Sequence, residues 1–557
     1  MPPSVSLLSP HLPDLGRLAR KARRRLRLLF RGEHPAGYFD LDDADLVNHL
    51  LRSCGQPPLD GSPREVAGRD GDPARGELVY ELRDDVRRAI PLALTPAQRG
   101  AYLRWFAEHG WPASGATVAD ILRVLFDQDA RPDRGLVATY RVQPGWQARH
   151  PDALTPAGWG PFKRWLAAEY GVRGRWLRRA ALPPDQIVYP STSGSLAANV
   201  IGLFRYTSGL QQAALSVVDA LSVAGVQLSL RDVPMLMNRD GRPRAGFDGL
   251  EPAPITILNT GLDMPVPEAY RLAGLHPRPG VYRVAVWWWE LEQVPADWLD
   301  RGRDVDEIWA PTRFIADALR PLGKPVYPML PSVRLPAFEP LPKRHFGLSA
   351  DKFTFLFVFD MNSRLPRKNP LGLIRAFRRA FGRAEPVELA VKVSPQGAYY
   401  PEWWRELRSA VAANGVTLID RNLSRGDLLA LVNAADAVAS LHRSEGFGLT
   451  LAEAMLLGKP TVATGYSGNL DFMTPENSYL VRYDRGVIAE DIPPYPKGCV
   501  WAEPDEGHAA ELMRRVVDHP AEARAVAERG RVEATALLSP EAAGRRLRDR
   551  LLEIARR

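Results

Sequence analysis

The order of apolar and polar positions along the chain changes character near residue 198. Residues 36 to about 190 carry mostly helical spacing, interrupted by Pro-rich breaks. From Ala198 onward, short apolar runs alternate with amphipathic stretches, which is the pattern of strands and helices in a parallel α/β sheet. Residues 199–204, 227–233, 254–259 and 282–290 read as strands, and 208–224 as a helix ended by Gly225. A short strand at 306–310 precedes a helix that starts at Thr312. A second series opens with 353–360, apolar except for Thr354 and the final Asp360, as a strand buried on both faces requires. Asn369 then serves as N-cap and Pro370 as first residue of a helix reaching Phe381. Strands at 388–394 and 416–421 and a helix at 425–435 follow. The expected fold class is α/β. A mainly helical extension (36–190) and a short arm (1–35) precede the alternating part.

The stretch 436–471 repeats this logic most densely: an apolar strand, a Gly-containing turn (Glu445-Gly446-Phe447-Gly448), a helix with Leu449, Ala452, Met455 and Leu456 on one face, and a second strand after Gly458 and Pro460. Two carboxylates, Glu445 and Glu453, stand around the start of that helix with seven residues between them. An ionised carboxylate only accepts hydrogen bonds, through two oxygens, and so suits a pair of neighbouring sugar hydroxyls. Between them lies a helix N-terminus, whose free N–H groups and dipole favour a diphosphate. Sugar, diphosphate and ribose in a row describe a nucleotide sugar. An acid capping a helix and another facing solvent is the plainer account of either residue alone, but not of the whole phrase with Gly458-Lys459-Pro460 and Gly468.

This phrase resembles the E-x7-E signature of retaining glycosyltransferases of the GT-B architecture, glycosyltransferase family 4 in particular, and the resemblance, over about residues 197–550, implies two facing Rossmann-like domains, 191–338 and 339–557, with a boundary near 331–342. It implies a transfer from a nucleotide diphosphate sugar to a hydroxyl acceptor with retention, in glycan or cell-envelope polysaccharide synthesis, with no cofactor and no metal. It implies that Glu445 holds the transferred sugar's hydroxyls and Glu453 the ribose diol, with Gly446, Phe447, Gly448 and Leu449 beside the donor. A basic pair at the departing diphosphate is expected from the turn at 362–370. Lys368 matches the family's lysine, and the arginine falls on Arg364 or Arg367. Lys392 at a strand end, His442 three residues before Glu445, and Gly209 in the loop after the first strand complete the expected donor side. That loop lacks the family's usual pair of adjacent glycines. On the acceptor side, Trp287-Trp288-Trp289-Glu290 ends a strand, and alternation sets Trp288 and Glu290 on one face. Two other readings remain: a nucleotide-sugar epimerase, against which the histidine-poor cleft argues, and a non-catalytic scaffold acting through its helical extension, against which intact Glu445, Glu453 and Lys368 argue.

Composition adds an address. The chain has 557 residues and a net charge of +8, and eight basic residues without an acid fall between Arg17 and Arg31. Leu15, Leu18, Ala22, Leu26 and Leu29 recur there at helical spacing. Residues 15–31 therefore read as an arm that can lie on an anionic membrane surface, or as a solvated tail. The remainder is close to neutral, so nucleic acid is not expected as a partner, whereas a glycan or lipid-linked acceptor is. No run reaches the roughly 18 apolar residues of a spanning helix. Cys54 and Cys499 match neither a disulfide framework nor a metal spacing. The expected location is the cytoplasm, with a peripheral contact at the inner membrane face as its extension.

The helical extension repeats itself at an offset of sixty. Tyr80 aligns with Tyr140, Leu94-Thr95-Pro96-Ala97 with Leu154-Thr155-Pro156-Ala157, and Arg104-Trp105 with Arg164-Trp165, giving units of about 78–113 and 138–173. In each unit Thr is expected as N-cap and Pro as first helical residue, with an aromatic pair three apart (Tyr102 and Trp105, Phe162 and Trp165) on a buried face.

Overall fold

The computed structural model describes residues 39–129, 132–172, 175–188, 196–206, 208–235, 242, 245–394 and 400–557. The basic arm lies outside them. Two six-stranded sheets, parallel throughout, carry the molecule. The first comprises β1 (Ala197–Gly202), β2 (Gln227–Asp232), β3 (Ile255–Asn259), β4 (Tyr282–Val286), β5 (Glu307–Ala310) and β6 (Val326–Pro328), in the order β2-β1-β3-β4-β5-β6. The second comprises β7 (Phe353–Phe359), β8 (Val387–Val393), β9 (Thr417–Ile419), β10 (Ala437–Ser440), β11 (Thr461–Thr464) and β12 (Tyr479–Val481), in the order β12-β11-β10-β7-β8-β9. Residues 329–342 between the sheets carry no helix or strand. This is the α/β two-sheet architecture, with a mainly helical N-terminal region, that the hydrophobic pattern predicts.

The strand order fixes where a ligand can sit. In the second sheet the chain runs from β7 outward to β9, then returns to place β10 on the other side of β7. The carboxyl ends of β7 and β10 therefore flank a topological switch point, the crevice that open α/β sheets use for ligands. The first sheet has its own switch point between β1 and β3.

One strand ends earlier than the alternation suggests. β4 stops at Val286, and the Trp287 N–H makes a last 3.3 Å bond to the Trp309 carbonyl before the chain leaves the ladder. Alternating burial nevertheless persists: Trp287 and Trp289 are buried, Trp288 and Glu290 partly open.

The extension keeps its sixty-residue repeat in three dimensions. Helices Pro73–Leu82, Asp84–Ala89 and Arg99–His109 recur as Pro132–Tyr140, Pro144–Arg149 and Trp159–Tyr170. Equivalent rings meet edge to face, Tyr80 on Tyr102 at 5.8 Å and Tyr140 on Phe162 at 5.3 Å. The Thr-Pro pairs do not open the helices as the capping rule suggests: the helices begin at Arg99 and Trp159. The hydroxyls of Thr95 and Thr155 instead donate backward to the carbonyls of Leu92 and Asp152, holding a turn that precedes each helix.

Candidate functional site

Two short loops build the site at the β7/β10 crevice. After β7, Asp360 caps a turn by accepting from the Asn362 N–H, and Arg364 takes a left-handed backbone (φ 70°). A single helical turn, Leu365–Lys368, follows, and then the helix Pro370–Ala380, whose N-cap Asn369 accepts from the Gly372 N–H. This fixes two cations, Arg367 and Lys368, immediately ahead of a helix. After β10, residues 441–448 loop around to the helix Leu449–Leu456, whose N-cap Gly448 is left-handed at φ 91° and whose start no side chain caps. The Arg443 N–H donates to the Arg367 carbonyl (2.8 Å), and Asn369 Nδ2 to the Leu441 carbonyl (2.9 Å). The two loops are thus one unit.

At its centre is Glu445. Lys368 Nζ pairs with Oε1, and Arg367 Nη1 lies 3.4 Å from Oε2. Burial pushes this carboxyl upward, but Lys368 and then Arg367 outweigh it and hold the group at about 2, fully ionised near neutrality. Burial depresses the Lys368 ammonium, while Glu445 draws it back upward. Arg367 is almost fully buried and also donates to the Ser444 carbonyl at 2.8 Å and the Ser363 carbonyl at 3.1 Å. Arg364, the other candidate for the pair, turns away: its guanidinium donates to the Pro493 carbonyl and the Tyr400 hydroxyl at 2.6 and 2.7 Å. Arg367 and Lys368 are therefore the cations that converge on Glu445.

Two glycines make this geometry possible. A Cβ on Gly468 would lie 1.9 Å from the Gly446 carbonyl oxygen, and one on Gly446 would lie 2.9 Å from the Trp289 carbonyl oxygen of the first domain. The Glu445 backbone is held by two further bonds, from its N–H to Ser467 Oγ (2.8 Å) and from the Gly468 N–H to its carbonyl (2.9 Å).

Glu453 lies on the same helix, buried, with Arg425 as ion partner. Burial raises its carboxyl and Arg425 opposes that rise. His442 is fully buried; Nε2 faces Asn469 Oδ1 at 3.1 Å and Nδ1 faces Ser440 Oγ at 3.1 Å. Burial holds it near pH 4, so the ring is neutral. Phe447 packs between Phe472 (5.0 Å) and Trp288 (6.5 Å). Leu449 opens the helix, and Lys392, buried at the end of β8, lies 3.4 Å from Ser394 Oγ. Gly209 is the first residue of the helix Gly209–Val223, capped by Ser208.

The first domain closes on the site. Thr312 Oγ1 donates to the Gly446 carbonyl at 3.0 Å, and Ser444 Oγ to the Glu290 carbonyl. The Glu290 carboxylate faces Arg367 at 3.9 Å and accepts from Tyr495 Oη at 3.1 Å. Sequence reasoning did not single out Arg425, Ser467, Thr312 or Tyr495 as site residues. The first three are ordinary helix and loop residues, and the one signal for Tyr495 is its place in the run Pro493-Pro494-Tyr495-Pro496.

Residues 352–492 match the family model described as Glycosyl transferases group 1. Among curated proteins, the chain is 25% identical over 202 residues to trehalose synthase from Rubrobacter xylanophilus, covering 33% of this chain and 46% of that protein. It is 30% identical over 141 residues to D-inositol 3-phosphate glycosyltransferase from an Arthrobacter species, covering 25% and 32%. The matched regions thus span less than half of either relative. Similar solved structures include sucrose-phosphate synthase from Thermosynechococcus elongatus, with 16% identity and TM-score 0.47 over 64% of this chain and 99% of that one. HepE from Anabaena, solved with UDP and glucose, has 14% identity and TM-score 0.45 over 64% and 100%.

Proposed function

We propose that this chain is a retaining glycosyltransferase that moves a hexose-type sugar from a nucleotide diphosphate donor to a hydroxyl of a glycan or lipid-linked acceptor. The observation that carries the reading is the convergence of Arg367 and Lys368 on Glu445 at the β7/β10 switch point, with Glu453 buried on the helix that follows. The match of residues 352–492 to a glycosyl transferase family model supports it independently.

The roles follow from charge. Lys368 and Arg367 neutralise the diphosphate as the bond from the anomeric carbon to its phosphate oxygen breaks. Charge-stabilising groups fixed in place beforehand act where charge develops in the transition state. Glu445 accepts hydrogen bonds from the transferred sugar and stabilises the positive charge growing on its ring. The acceptor oxygen bonds to the anomeric carbon on the face the diphosphate leaves, and its proton passes to the departing phosphate oxygen. No side chain need serve as a strong base, which suits a site whose histidine, His442, is neutral and held on both nitrogens by protein groups. Glu453 receives the ribose diol through the oxygen that Arg425 does not engage. Glu290 and Trp288 face the acceptor from the first domain. A cell-envelope or other polysaccharide product, and contact of residues 15–31 with an anionic membrane at the cytoplasmic face, extend the same reading.

The test is a thermal-shift and hydrolysis screen of the purified chain against UDP-, GDP-, ADP- and dTDP-glucose, beside Glu445→Gln. One donor is expected to stabilise both proteins and to be slowly hydrolysed by the parent alone. Absence of stabilisation by any nucleotide sugar at millimolar concentration overturns the reading.

A further inference from the structure

The second domain carries an insertion after its last sheet strand. The chain leaves β12 and forms an antiparallel hairpin, β13 (Tyr483–Val487) with β14 (Val500–Pro504), in register from Tyr483 opposite Pro504 to Val487 opposite Val500. Its apolar residues are not spent on their own domain. Ile488, Ile492, Tyr495 and Trp501 are buried in the hydrophobic core of the first domain, among Trp287, Trp289 and Leu291. The tip is closed by paired bonds between Ile492 and Tyr495, 2.9 and 2.7 Å.

The hairpin is also tied to both site loops. The Ala502 N–H donates to the Arg443 carbonyl (2.9 Å), Arg443 Nε pairs with Glu503 (2.8 Å), and the Pro493 carbonyl accepts from Arg364 Nε (2.6 Å). On the first-domain side, Arg485 pairs with Glu292 and the Tyr495 ring packs on Trp289 at 5.7 Å. Tyr495 is thereby fixed at the one place where it meets an acid from one domain and a cation from the other. Its hydroxyl donates to Glu290 Oε2 at 3.1 Å, and its ring faces the Arg367 guanidinium at 5.8 Å. Burial keeps the phenol protonated, so it donates to the Glu290 side-chain oxygen.

We propose that Tyr495 is a positioning residue that holds Glu290 and Arg367 in register across the interdomain cleft, so that the acceptor-side carboxylate and the diphosphate-side cation are assembled together only when the hairpin is seated. The role rests on the transferase reading for its consequence in turnover, but the contact itself exists without substrate. Without the hydroxyl, the Glu290 carboxylate is left, among the described residues, with the looser attraction of Arg367, at 3.9 Å, and of Lys368, and is free to turn toward solvent. Donor binding draws on Lys368, Arg367 and Glu453, whereas transfer also needs Glu290 in place. The hydroxyl should therefore matter to turnover more than to donor affinity.

Tyr495→Phe keeps the ring and its packing, and Glu290→Leu removes the acceptor at the other end, which a Gln would retain in its amide oxygen. Amide hydrogen exchange of residues 287–292 and 363–368 is read in the ligand-free full chain for both variants and their combination. Each single variant is expected to speed exchange in both segments by about tenfold, and the double variant no more than Glu290→Leu alone, because the hydroxyl acts through that carboxylate. With the donor selected by the screen above, Tyr495→Phe is expected to lower kcat by about tenfold while the donor KM stays within about twofold. Exchange unchanged in either segment, or additive effects in the double variant, overturns the proposal. A rise in donor KM with kcat unchanged overturns it too. If no donor acts on the parent chain, the transferase reading fails, and the exchange data still decide whether Tyr495 holds the two domains' groups together.

Discussion

In the proposed reaction, Glu445 competes with the ligand it would serve. Without substrate, its carboxylate neutralises Lys368 and Arg367, the cations that a diphosphate would engage. Glu445→Gln is therefore expected to lower turnover by about a hundredfold or more while tightening the affinity for a free nucleoside diphosphate; steady-state kinetics and titration calorimetry with UDP, GDP, ADP and dTDP read the two effects. Loss of rate with weakened diphosphate binding would mean that Glu445 orders the cations rather than competing for them. His442 gives a second prediction. Asn469 donates through Nδ2 to the Thr464 carbonyl, so its Oδ1 is turned to accept from His442 Nε2–H, and Nδ1 is left to accept from Ser440. An added proton at Nδ1 would have no acceptor but a hydroxyl, and burial, with Lys368, opposes it more than Glu445 favours it. The native ring holds off its proton until about pH 4, the unfolded one takes it at about 6.5, so between those values the unfolded state binds more protons. Stability should fall by about 3 kcal/mol as pH drops through that window. His442→Gln should flatten this slope in denaturant titrations at several pH values. Glu453, whose carboxyl is raised, acts in the opposite sense, and the difference between the two curves isolates the histidine. That Glu445, Lys368, Gly446 and Gly468 belong to one cluster was legible, because their types and spacing mark two turns that follow neighbouring strands. The choice of Arg367 over Arg364 was not, since it depends on the left-handed turn at Arg364 that sends one guanidinium inward and the other to Tyr400.

Elements were read more securely than the contacts between them. Buried parallel strands announce themselves as apolar runs, and β7 and β8 follow the expectation to within a residue at each end. The duplicated helices were visible as a repeat, but their docking was not, because it uses single polar residues. Arg205, just past the end of β1, is buried among Glu81 (3.3 Å) and Glu77 (3.8 Å) from the extension and Asp232 (3.6 Å) from β2. Gln147 bonds the Gly274 carbonyl at 2.9 Å and accepts from the His276 N–H at 2.9 Å. Arg141 pairs with Asp248 at 2.8 Å. The extension thus supplies the counter-charge for a cation at the first sheet's switch point, and it is a structural part of that domain. Removing one partner of a buried pair leaves the other charge uncompensated. Glu81→Gln is expected to cost about 2 kcal/mol, less than full loss of a buried pair because Asp232 and Glu77 remain. Chemical denaturation checks this. A cost no greater than that of Arg64→Gln, which removes an exposed pair with Asp42, would show that the network carries no special weight.

The last helix returns the chain from the second domain to the first. Pro540–Ala555 lays Ala543, Leu547, Leu551 and Ile554 against Ala198, Val200 and Trp309 of the first sheet. Gly544 lets it approach closely: a Cβ there would lie 2.3 Å from the Ala220 carbonyl oxygen. At its far end Arg550 forms a two-point bond with Glu307, 3.0 and 2.5 Å, over the face of Tyr327. Glu307 is fully buried and also accepts from Trp309 Nε1 (2.8 Å) and Tyr282 Oη (2.9 Å), so every near neighbour of the carboxylate is a donor. Such a pair is costly to desolvate and strong once formed, and removing one side alone is the severe perturbation. Arg550→Met is expected to destabilise the first domain by about 3 kcal/mol. Glu307→Gln combined with Arg550→Met should recover at least half of that, because Gln removes the orphaned charge yet still accepts from Trp309. Urea unfolding, followed through tryptophan fluorescence, compares the three proteins. If the double variant is no more stable than Arg550→Met, the loss belongs to the arginine's contact with Tyr327 and not to the ion pair. The strap would then hold by packing alone, and its attachment should weaken little with salt. If the double variant recovers, the charge at Glu307 is what obliges the second domain's last helix to stay seated on the first.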